Sequence, residues 1–380
     1  MTDNTPLCDT PGLTHSGLTG NSAALLVDPL DLQHIVGVEE ITSPDGTPAI
    51  ATRVSFDGGA SWRESWPLPS VAGSAGLVRP ALAIDAHGTV NLAALALKRS
   101  RQETCLSIYR SPDGGIQWNS PIVLLDGTAE CSYSIAADLR PDSPFRGCVY
   151  IAADMNNTLC FARSSDGVHW NGQGRSTPGP LGNGFCFNPE VLAGPGGAVH
   201  LVWMTGPSAC RILAAISLDG GQTFDMPVTV AEGIVSVQDP MSSTAPVTCV
   251  AEDRVALCVW ADSREGRGRI YYRRSGDCGR TWQGPPEGAP LMPGSESSQH
   301  EFQPHLIQTA GGELLCAFYE YGPKVPGGEP LVDLAMAVSY DRGATFKDRM
   351  VLSERPWNPM VDDPLSPGAT RGALSWLAIN

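Results

Sequence analysis

An eight-residue pattern occurs six times along the chain, and its spacing constrains the fold more than any other feature of the sequence. Most copies read Ser-x-Asp-x-Gly-x-(Ser/Thr)-(Trp/Phe), and successive aspartates are 56, 53, 53, 58 and 64 residues apart. The six aspartates are Asp57, Asp113, Asp166, Asp219, Asp277 and Asp341. Such a period matches one four-stranded sheet with its loops. The sequence therefore predicts an all-β fold, a six-bladed β-propeller of four-stranded antiparallel blades.

The residue types of this pattern suit a turn rather than a catalytic site. The aspartate can accept hydrogen bonds from main-chain N–H groups of its own turn, the glycine supplies a positive φ, and the aromatic residue returns to the apolar interior. We therefore predict that all six aspartates are structural. The third copy, Ser164 to Trp170, is one residue shorter, and the second has Gln117 where serine or threonine is usual, so we expect those turns to differ.

The pattern resembles the Asp box, or BNR repeat, of the sialidase superfamily over roughly residues 22–350. The resemblance implies that the boxes lie on the face opposite the active site. It also implies a site of three arginines, a tyrosine activated by a glutamate, and an aspartate, with the first arginine in a Phe/Tyr-Arg-Ile-Pro motif. That motif is missing here: Arg53 is the only arginine between Leu13 and Val54, and Arg79-Pro80 lacks the aromatic residue. We therefore expect a sialidase-like fold without sialidase activity.

The unbroken repeat predicts a single domain over residues 1–380. We place the blades at about 22–70, 79–125, 131–175, 187–232, 244–288 and 301–352. The tail, residues 356–380, contains another strand-like run at 373–379. This tail could add a strand, close the ring against the N-terminal segment or begin a further blade. We expect it to pack beside blade 1, because a propeller must join its ends.

Charge and hydropathy restrict the partners of the chain. The net charge is −15, whereas nucleic-acid binding needs a basic surface, so we expect no nucleic-acid partner. No stretch reaches the roughly 18 apolar residues of a membrane span, and the N-terminus lacks a basic segment followed by an apolar core. We therefore expect a cytoplasmic protein with no membrane partner.

The cysteine content also fits a cytoplasmic protein. The eleven cysteines are an odd number spread through strands and loops, which is typical of free thiols in a reducing environment. Neither a CxxC pair nor a His/Cys cluster has the spacing of zinc ligands, so we predict no metal and no cofactor. The oligomeric state stays open.

Polar residues at the starts of the inner strands are the candidate site residues, because these starts converge on one mouth of the central channel. The dense segment from 298 to 305 offers His300 and Glu301 for proton transfer, and Glu190 could act from across the channel. We predict these three as catalytic, although each could instead be structural. The residues predicted to bind substrate are Arg79, Tyr133, Asn188, Asp239, Gln303, Tyr319 and Tyr321.

Three classes of function fit this reading. We favour a non-sialidase enzyme that performs acid/base chemistry on a small glycoside-type substrate or another metabolite in the central funnel. The first alternative is an intracellular cyclase or isomerase acting on a small, partly apolar metabolite. The second is a carbohydrate-binding, lectin-like propeller without catalysis, which the divergence of the repeats outside the boxes disfavours.

Overall fold

The structure is a computed structural model that describes residues 23–64, 67–99, 103–128, 131–156, 158–171, 186–206, 210–235, 246–250, 254–293, 299–309, 311–323, 328–356 and 358. Over these ranges the chain forms antiparallel β-sheets, each from strands consecutive in sequence. Five sheets have four strands, and the third has three within the described residues. The sheets are the six blades of a propeller, so the predicted fold is confirmed.

The strands follow one another outward in each of the first three blades. Blade 1 holds β1 (Ala23–Asp28), β2 (Asp31–Thr42), β3 (Pro48–Ser55) and β4 (Arg63–Glu64). Blade 2 holds β5 (Ser74–Ile84), β6 (Val90–Lys98), β7 (Thr104–Ser111) and β8 (Ile122–Thr128). Blade 3 holds β9 (Tyr133–Ala137), β10 (Val149–Met155) and β11 (Thr158–Ser164).

The other three blades repeat this order. Blade 4 holds β12 (Phe187–Ala193), a 3-10 turn (Pro195–Gly197), β13 (Val199–Thr205), β14 (Cys210–Ser217) and β15 (Val228–Ile234). Blade 5 holds β16 (Val247–Val250), β17 (Ala256–Asp262), β18 (Arg269–Ser275) and β19 (Ala289–Pro290). Blade 6 holds β20 (His300–Gln308), β21 (Leu314–Pro323), β22 (Pro330–Ser339) and β23 (Lys347–Val351).

The core is divided into layers between neighbouring blades. The inner strands β1, β5, β9, β12, β16 and β20 contact one another in that order. Apolar side chains from the facing sheets then fill each layer. Between blades 4 and 5, for example, Met204 packs with Trp260, and between blades 5 and 6 Leu257 packs with Phe318. Each blade is thus stabilised by burial against its neighbours rather than by a core of its own.

The aspartate of the repeated pattern organises the turn after the third strand of its blade. In the first copy, Asp57 accepts hydrogen bonds from Ser61 N (2.8 Å), Ser61 Oγ (2.5 Å) and Ser55 Oγ (2.8 Å). The hydrogen bonds from Ser61 are the main reason that the pKa of Asp57 falls to about 2. Ser55 Oγ also accepts a hydrogen bond from Gly59 N at 2.8 Å. The turn is therefore closed by its own side chains.

Two of these turns differ from the rest. In the short third copy, Asp166 accepts hydrogen bonds from Val168 N and His169 N, each at 2.8 Å, and lies 2.7 Å from His169 Nδ1. In the second copy, Asp113 accepts a hydrogen bond from Gln117 N at 2.9 Å, and glutamine has no hydroxyl group with which to repeat the bond that Ser61 makes. The imidazole thus takes the place of the usual hydroxyl in the third turn.

Candidate functional site

The repeated turns and the starts of the inner strands lie at opposite ends of the blades. In blade 4, the end of β12 at Ala193 pairs with Val199, which pairs in turn with Ser217, the first residue of a repeated turn. The start of β12 at Phe187 is therefore at the far end. This end, which we call the mouth, gathers the inner-strand residues that the sequence predicts as a site. Asp239, also predicted there, lies outside the described residues.

Three inner strands share an unusual backbone feature at the mouth. Arg79, Asn188 and Gln303 have φ values of 56°, 49° and 48°, and each is followed by proline. At each, the strand register gains one residue: between 78 and 81, 187 and 190, and 302 and 305. These are β-bulges with a left-handed residue, an arrangement that redirects a side chain next to active sites. They occur in alternate blades, 2, 4 and 6.

Side chains of the preceding or following blade hold the bulge of blade 2. Arg79 N donates a hydrogen bond to the Glu40 carboxylate of blade 1, and Arg79 Nη1 donates to Cys131 O at 3.3 Å. The Tyr133 hydroxyl donates to Arg79 O and lies 3.2 Å from Ala93 O. Burial raises the pKa of Tyr133, so it stays a neutral phenol that positions the bulge. The Arg79 side chain remains exposed at the mouth.

Serines of blade 3 hold the bulge of blade 4 in the same way. Asn188 N donates to Ser132 Oγ at 3.0 Å, and Val191 N donates to Ser134 Oγ at 2.8 Å. Hydroxyl acceptors thus satisfy main-chain donors on the channel edge of β12, where no further strand can pair with them. Asn188 keeps its amide half-buried at the mouth.

Glu190 follows this bulge, and its carboxyl group lies in a buried environment. Its Oε2 atom is buried and has no hydrogen-bond partner among the described residues. Burial raises the pKa of Glu190 to about 8, and only the main chain and side chain of Thr248 in blade 5 act against this shift. A carboxyl group in such a place is protonated near neutral pH and can donate a proton. Sequence reasoning identified the residue but not its protonation state.

Glu301 and His300 lie at the junction of blades 5 and 6. Glu301 is only 4% exposed, its Oε2 accepts a hydrogen bond from Ile270 N at 3.0 Å, and burial raises its pKa. His300 Nδ1 accepts a hydrogen bond from Gly268 N at 3.1 Å. Because that lone pair is occupied, the neutral imidazole carries its proton on Nε2 and presents a donor. His300 is therefore placed to donate a hydrogen bond from Nε2.

A row of carboxylates crosses blade 6 beside Glu301. Glu301 pairs in register with Glu320, which pairs with Asp333, and the latter two are 1% and 6% exposed. Arg349 donates to both Glu320 oxygens, with Nε at 2.7 Å from Oε1. Ser353 Oγ donates to Asp333 at 2.8 Å. Arg349 therefore compensates the negative charge of Glu320, and Glu320 helps to keep the pKa of Glu301 raised.

The structure brings the predicted site residues together in three groups. In blade 6, His300 pairs with Tyr321 and Phe302 pairs with Tyr319, the last two with ring centroids 5.6 Å apart. Gln303 is half-buried in the same strand. The other groups are Asn188 with Glu190 in blade 4, and Arg79 with Tyr133 at the junction of blades 2 and 3. Each bulge has the same short sequence, an apolar residue followed by a polar residue and proline. The prediction from the sequence did not use this signal.

Two cysteines near the mouth, Cys131 and Cys186, are buried. Burial raises the pKa of Cys131 to about 12 and also raises that of Cys186, so neither thiol is activated. The described residues contain no group of three or more His, Cys, Asp and Glu side chains that could hold a metal ion. No helix in the described ranges is long and apolar enough to cross a membrane.

Comparisons with known proteins identify the fold. No family model matches the sequence, and no curated protein matches it. The intramolecular trans-sialidase from Ruminococcus gnavus superposes with a TM-score of 0.50 at 12% identity, over 78% of this chain and 89% of that chain. The leech intramolecular trans-sialidase gives 0.51 at 13% identity, over 80% and 65%. A protein of unknown function from Dyadobacter fermentans gives 0.51 at 16% identity, over 84% and 94%.

At these identities the likeness concerns architecture alone. The chain has the six-bladed propeller fold of the sialidases and sialidase-like proteins.

Proposed function

We propose that this chain is an enzyme acting on a glycoside-type substrate at the mouth of the propeller, by a non-sialidase mechanism with Glu190 as the proton donor. The observation that carries the proposal is the buried Glu190 carboxyl, whose pKa is raised to about 8. Cleavage of a glycosidic bond requires a carboxylic acid that is still protonated at working pH, to protonate the leaving oxygen. Two neighbours of the same fold, described as intramolecular trans-sialidases, also act on sugars.

The remaining roles follow from the chemistry of each side chain. Glu301 is the second carboxylate that we nominate, with His300 Nε2–H beside it as a hydrogen-bond donor. Amide side chains at two bulges, Asn188 and Gln303, suit sugar hydroxyls because an amide both donates and accepts. The exposed guanidinium of Arg79 adds a charged donor at the third bulge. Tyr319 and Tyr321 are half-buried aromatic side chains near His300 in blade 6, and they would contact a sugar face.

Glu190→Gln tests the assignment because it removes the transferable proton and keeps the shape. We expect kcat on a panel of aryl glycosides to fall by roughly 100-fold or more. In the wild-type enzyme, kcat should decline as the pH rises through about 8, since the donor loses its proton there. Glu313→Gln, at the opposite end of blade 6, is the matched control and should leave the rate unchanged. A Glu190→Gln enzyme with wild-type turnover would reject the role of Glu190.

One observation supports the cyclase or isomerase alternative. Below the bulges, the inner strands carry half-buried apolar side chains that belong to none of the buried clusters, among them Leu192 and Ile307. Apolar side chains at a binding site suit a small, partly apolar metabolite. Product analysis separates the two functions: a hydrolase releases an aglycone and a sugar, whereas a cyclase or isomerase yields one product of unchanged composition.

A further inference from the structure

A loop of blade 5 contacts two of the nominated site residues at the start of blade 6. This loop, residues 263–268, joins β17 to β18, and we call it the blade 5 loop. Its last residue, Gly268, donates its main-chain N–H to His300 Nδ1 at 3.1 Å and accepts a hydrogen bond from Glu301 N at 2.8 Å. Just beyond the loop, Ile270 N donates to Glu301 Oε2 at 3.0 Å. The orientation of both side chains therefore depends on where the blade 5 loop lies.

The backbone of this loop is costly to hold in one conformation. It contains two glycines, Gly266 and Gly268, and Gly266 has a φ of 82°. Glycine loses more backbone freedom on ordering than any other residue, so a short loop with two glycines needs tethers. A main-chain hydrogen bond from Gly266 N to Ser263 O, at 2.9 Å, closes a turn in its first half. Side chains supply further tethers, and they divide into two sets.

The first set holds the first half of the loop. Asp262 Oδ1 accepts a hydrogen bond from Arg264 N at 2.8 Å, and Asp262 Oδ2 accepts one from Arg264 Nε at 2.9 Å. The Arg264 guanidinium also lies over the Tyr271 ring, 4.4 Å from its centroid. Ser263 N donates to Val235 O of blade 4 at 3.0 Å. This half of the loop is therefore anchored to blade 4 and to the strands on either side of it.

Glu265 supplies the second set, which holds the half of the loop next to blade 6. Its Oε1 accepts a hydrogen bond from the Tyr271 hydroxyl at 2.7 Å, and its Oε2 accepts one from Arg269 Nη1 at 3.0 Å. These hydrogen bonds lower the pKa of Glu265, and burial raises the pKa of Tyr271 to about 12, so the phenol remains a donor. Arg269 is only 8% exposed and also donates to Met292 O at 3.0 Å. The carboxylate thus ties the loop to two fixed side chains of β18.

We propose that Glu265 is a positioning residue, which fixes the blade 5 loop so that Gly268 N–H holds His300 as an Nε2–H donor at the mouth. A neutral imidazole can carry its proton on either nitrogen, and the hydrogen bond at one nitrogen decides which form prevails. At His300 the neighbour of Nδ1 is a main-chain N–H group, which only donates, so the proton belongs on Nε2. The role of this tautomer in catalysis rests on the proposed function, whereas the tautomer itself does not.

The tautomer of His300 tests the proposal without a substrate. Nuclear magnetic resonance of the isotope-labelled full chain measures the chemical shifts of both ring nitrogens in alkaline buffer, where an imidazole is neutral. His300→Gln assigns the signal. Wild type should show the Nε2–H form alone, and Glu265→Ala should show a mixture of both forms, because Gly268 N–H no longer stays in place. An unchanged Nε2–H form in Glu265→Ala would overturn the proposal.

Two variants control for the loss of a carboxylate. Glu265→Gln keeps an oxygen that accepts a hydrogen bond from Tyr271, so it should retain the wild-type tautomer. Glu103 lies in the corresponding loop of blade 2, 3.4 Å from Lys98 Nζ, and its side chain is 54% exposed, against 47% for Glu265. Glu103→Ala should leave His300 unchanged. A mixture of tautomers in Glu103→Ala as well would mean that any lost charge at the mouth disturbs His300, which would overturn the assignment to Glu265.

Kinetics test what the position of His300 does for the proposed reaction. Glu265→Ala should lower kcat by roughly 10-fold or more, because a small displacement of a group at the reaction centre is costly. KM should change little, since Glu265 acts through the loop, and Tm should stay close to that of wild type, because an exposed ion pair adds little stability. Mixed tautomers with a wild-type kcat would overturn the role of Glu265 in the reaction. That result would leave Glu190 as the proton donor, which Glu190→Gln judges separately.

Discussion

A carboxyl group buried without a counter-ion couples chemistry to stability at the scale of a single residue. Glu190 illustrates this coupling, because the burial that keeps its carboxyl group protonated also makes its ionisation costly for the fold. The Glu320 carboxylate is also buried, at 1% exposure, yet Arg349 compensates its charge. The two glutamates therefore differ in their electrostatic surroundings, and sequence spacing offered no means to tell them apart.

Glu190→Gln should change stability in a pH-dependent manner. The folded-state pKa of about 8 lies above the ordinary glutamate value of 4.5, so the folded protein binds the extra proton and loses stability as the pH rises between those values. Glutamine removes this loss. We expect Glu190→Gln to be more stable than wild type at pH 9 by on the order of 3 kcal/mol, since one pKa unit is worth about 1.4 kcal/mol and relaxation lowers the full value.

Urea unfolding at pH 5 and pH 9 measures this difference. At pH 5 the wild-type carboxyl is already neutral in the folded protein, so the two chains should differ little. Glu313→Gln serves again as the control at both pH values. An advantage of Glu190→Gln that is the same at pH 5 and pH 9 would mean that the carboxyl does not titrate between them.

At the scale of the element, the repeated turns join blades as well as strands. In two of them, the glycine two residues after the aspartate backs closely onto the preceding blade: a Cβ at Gly343 would lie 2.4 Å from Leu257 in blade 5, and one at Gly221 would lie 2.6 Å from Phe161 in blade 3. Both glycines also have positive φ. The sequence predicted that a glycine is needed for backbone freedom. That it also leaves room for the preceding blade was visible only in the packing.

Gly343→Ala and Gly312→Ala separate these two requirements. Both residues have positive φ, 76° and 92°, but nothing lies within 4 Å of a Cβ at Gly312. Gly312→Ala should therefore cost about 1 kcal/mol of backbone strain. Gly343→Ala must in addition displace the fully buried Leu257, which should bring the loss to about 2 to 4 kcal/mol. Urea unfolding compares them, and equal losses would show that the close approach is unimportant.

The three bulges show where prediction from elements stops. The alternation of apolar residues predicted strands at the right places, and the prolines at 80, 189 and 304 were plain in the sequence. A left-handed backbone at arginine, asparagine or glutamine costs free energy that strand propensity does not anticipate. At Arg79 and Asn188 it is held by side chains of neighbouring blades, such as Ser132 at Asn188. The bulges therefore depend on contacts distant in sequence.

At the scale of the whole molecule, charge sets what the propeller can attract. A net charge of −15 on 380 residues produces a repulsive field for phosphate backbones. Basic side chains near the mouth are also partly committed within the protein: Arg269 lies 3.0 Å from Glu265, and Arg264 contacts both the Asp262 carboxylate and the Tyr271 ring. We therefore expect the mouth to bind a small molecule rather than a nucleic acid.

We expect no measurable binding to double-stranded or single-stranded DNA at 0.15 M salt, because affinity for the backbone depends on the release of counterions by a basic surface. Fluorescence anisotropy with a labelled oligonucleotide measures this, and a basic DNA-binding domain of similar size serves as the positive control. Binding that weakens steeply with added salt would show that a local basic surface outweighs the net charge.

The sequence by itself determined the number of blades, the order of strands and the turns, because each depends on a short local pattern that repeats with a fixed period. It also identified residues that lie at the mouth, since the start of each inner strand follows from that period. Only the tertiary structure decided the surroundings of these residues. The buried carboxyl of Glu190, the occupied Nδ1 of His300 and the three bulges all arise from contacts between blades, and burial and charge compensation depend on neighbours that are distant along the chain.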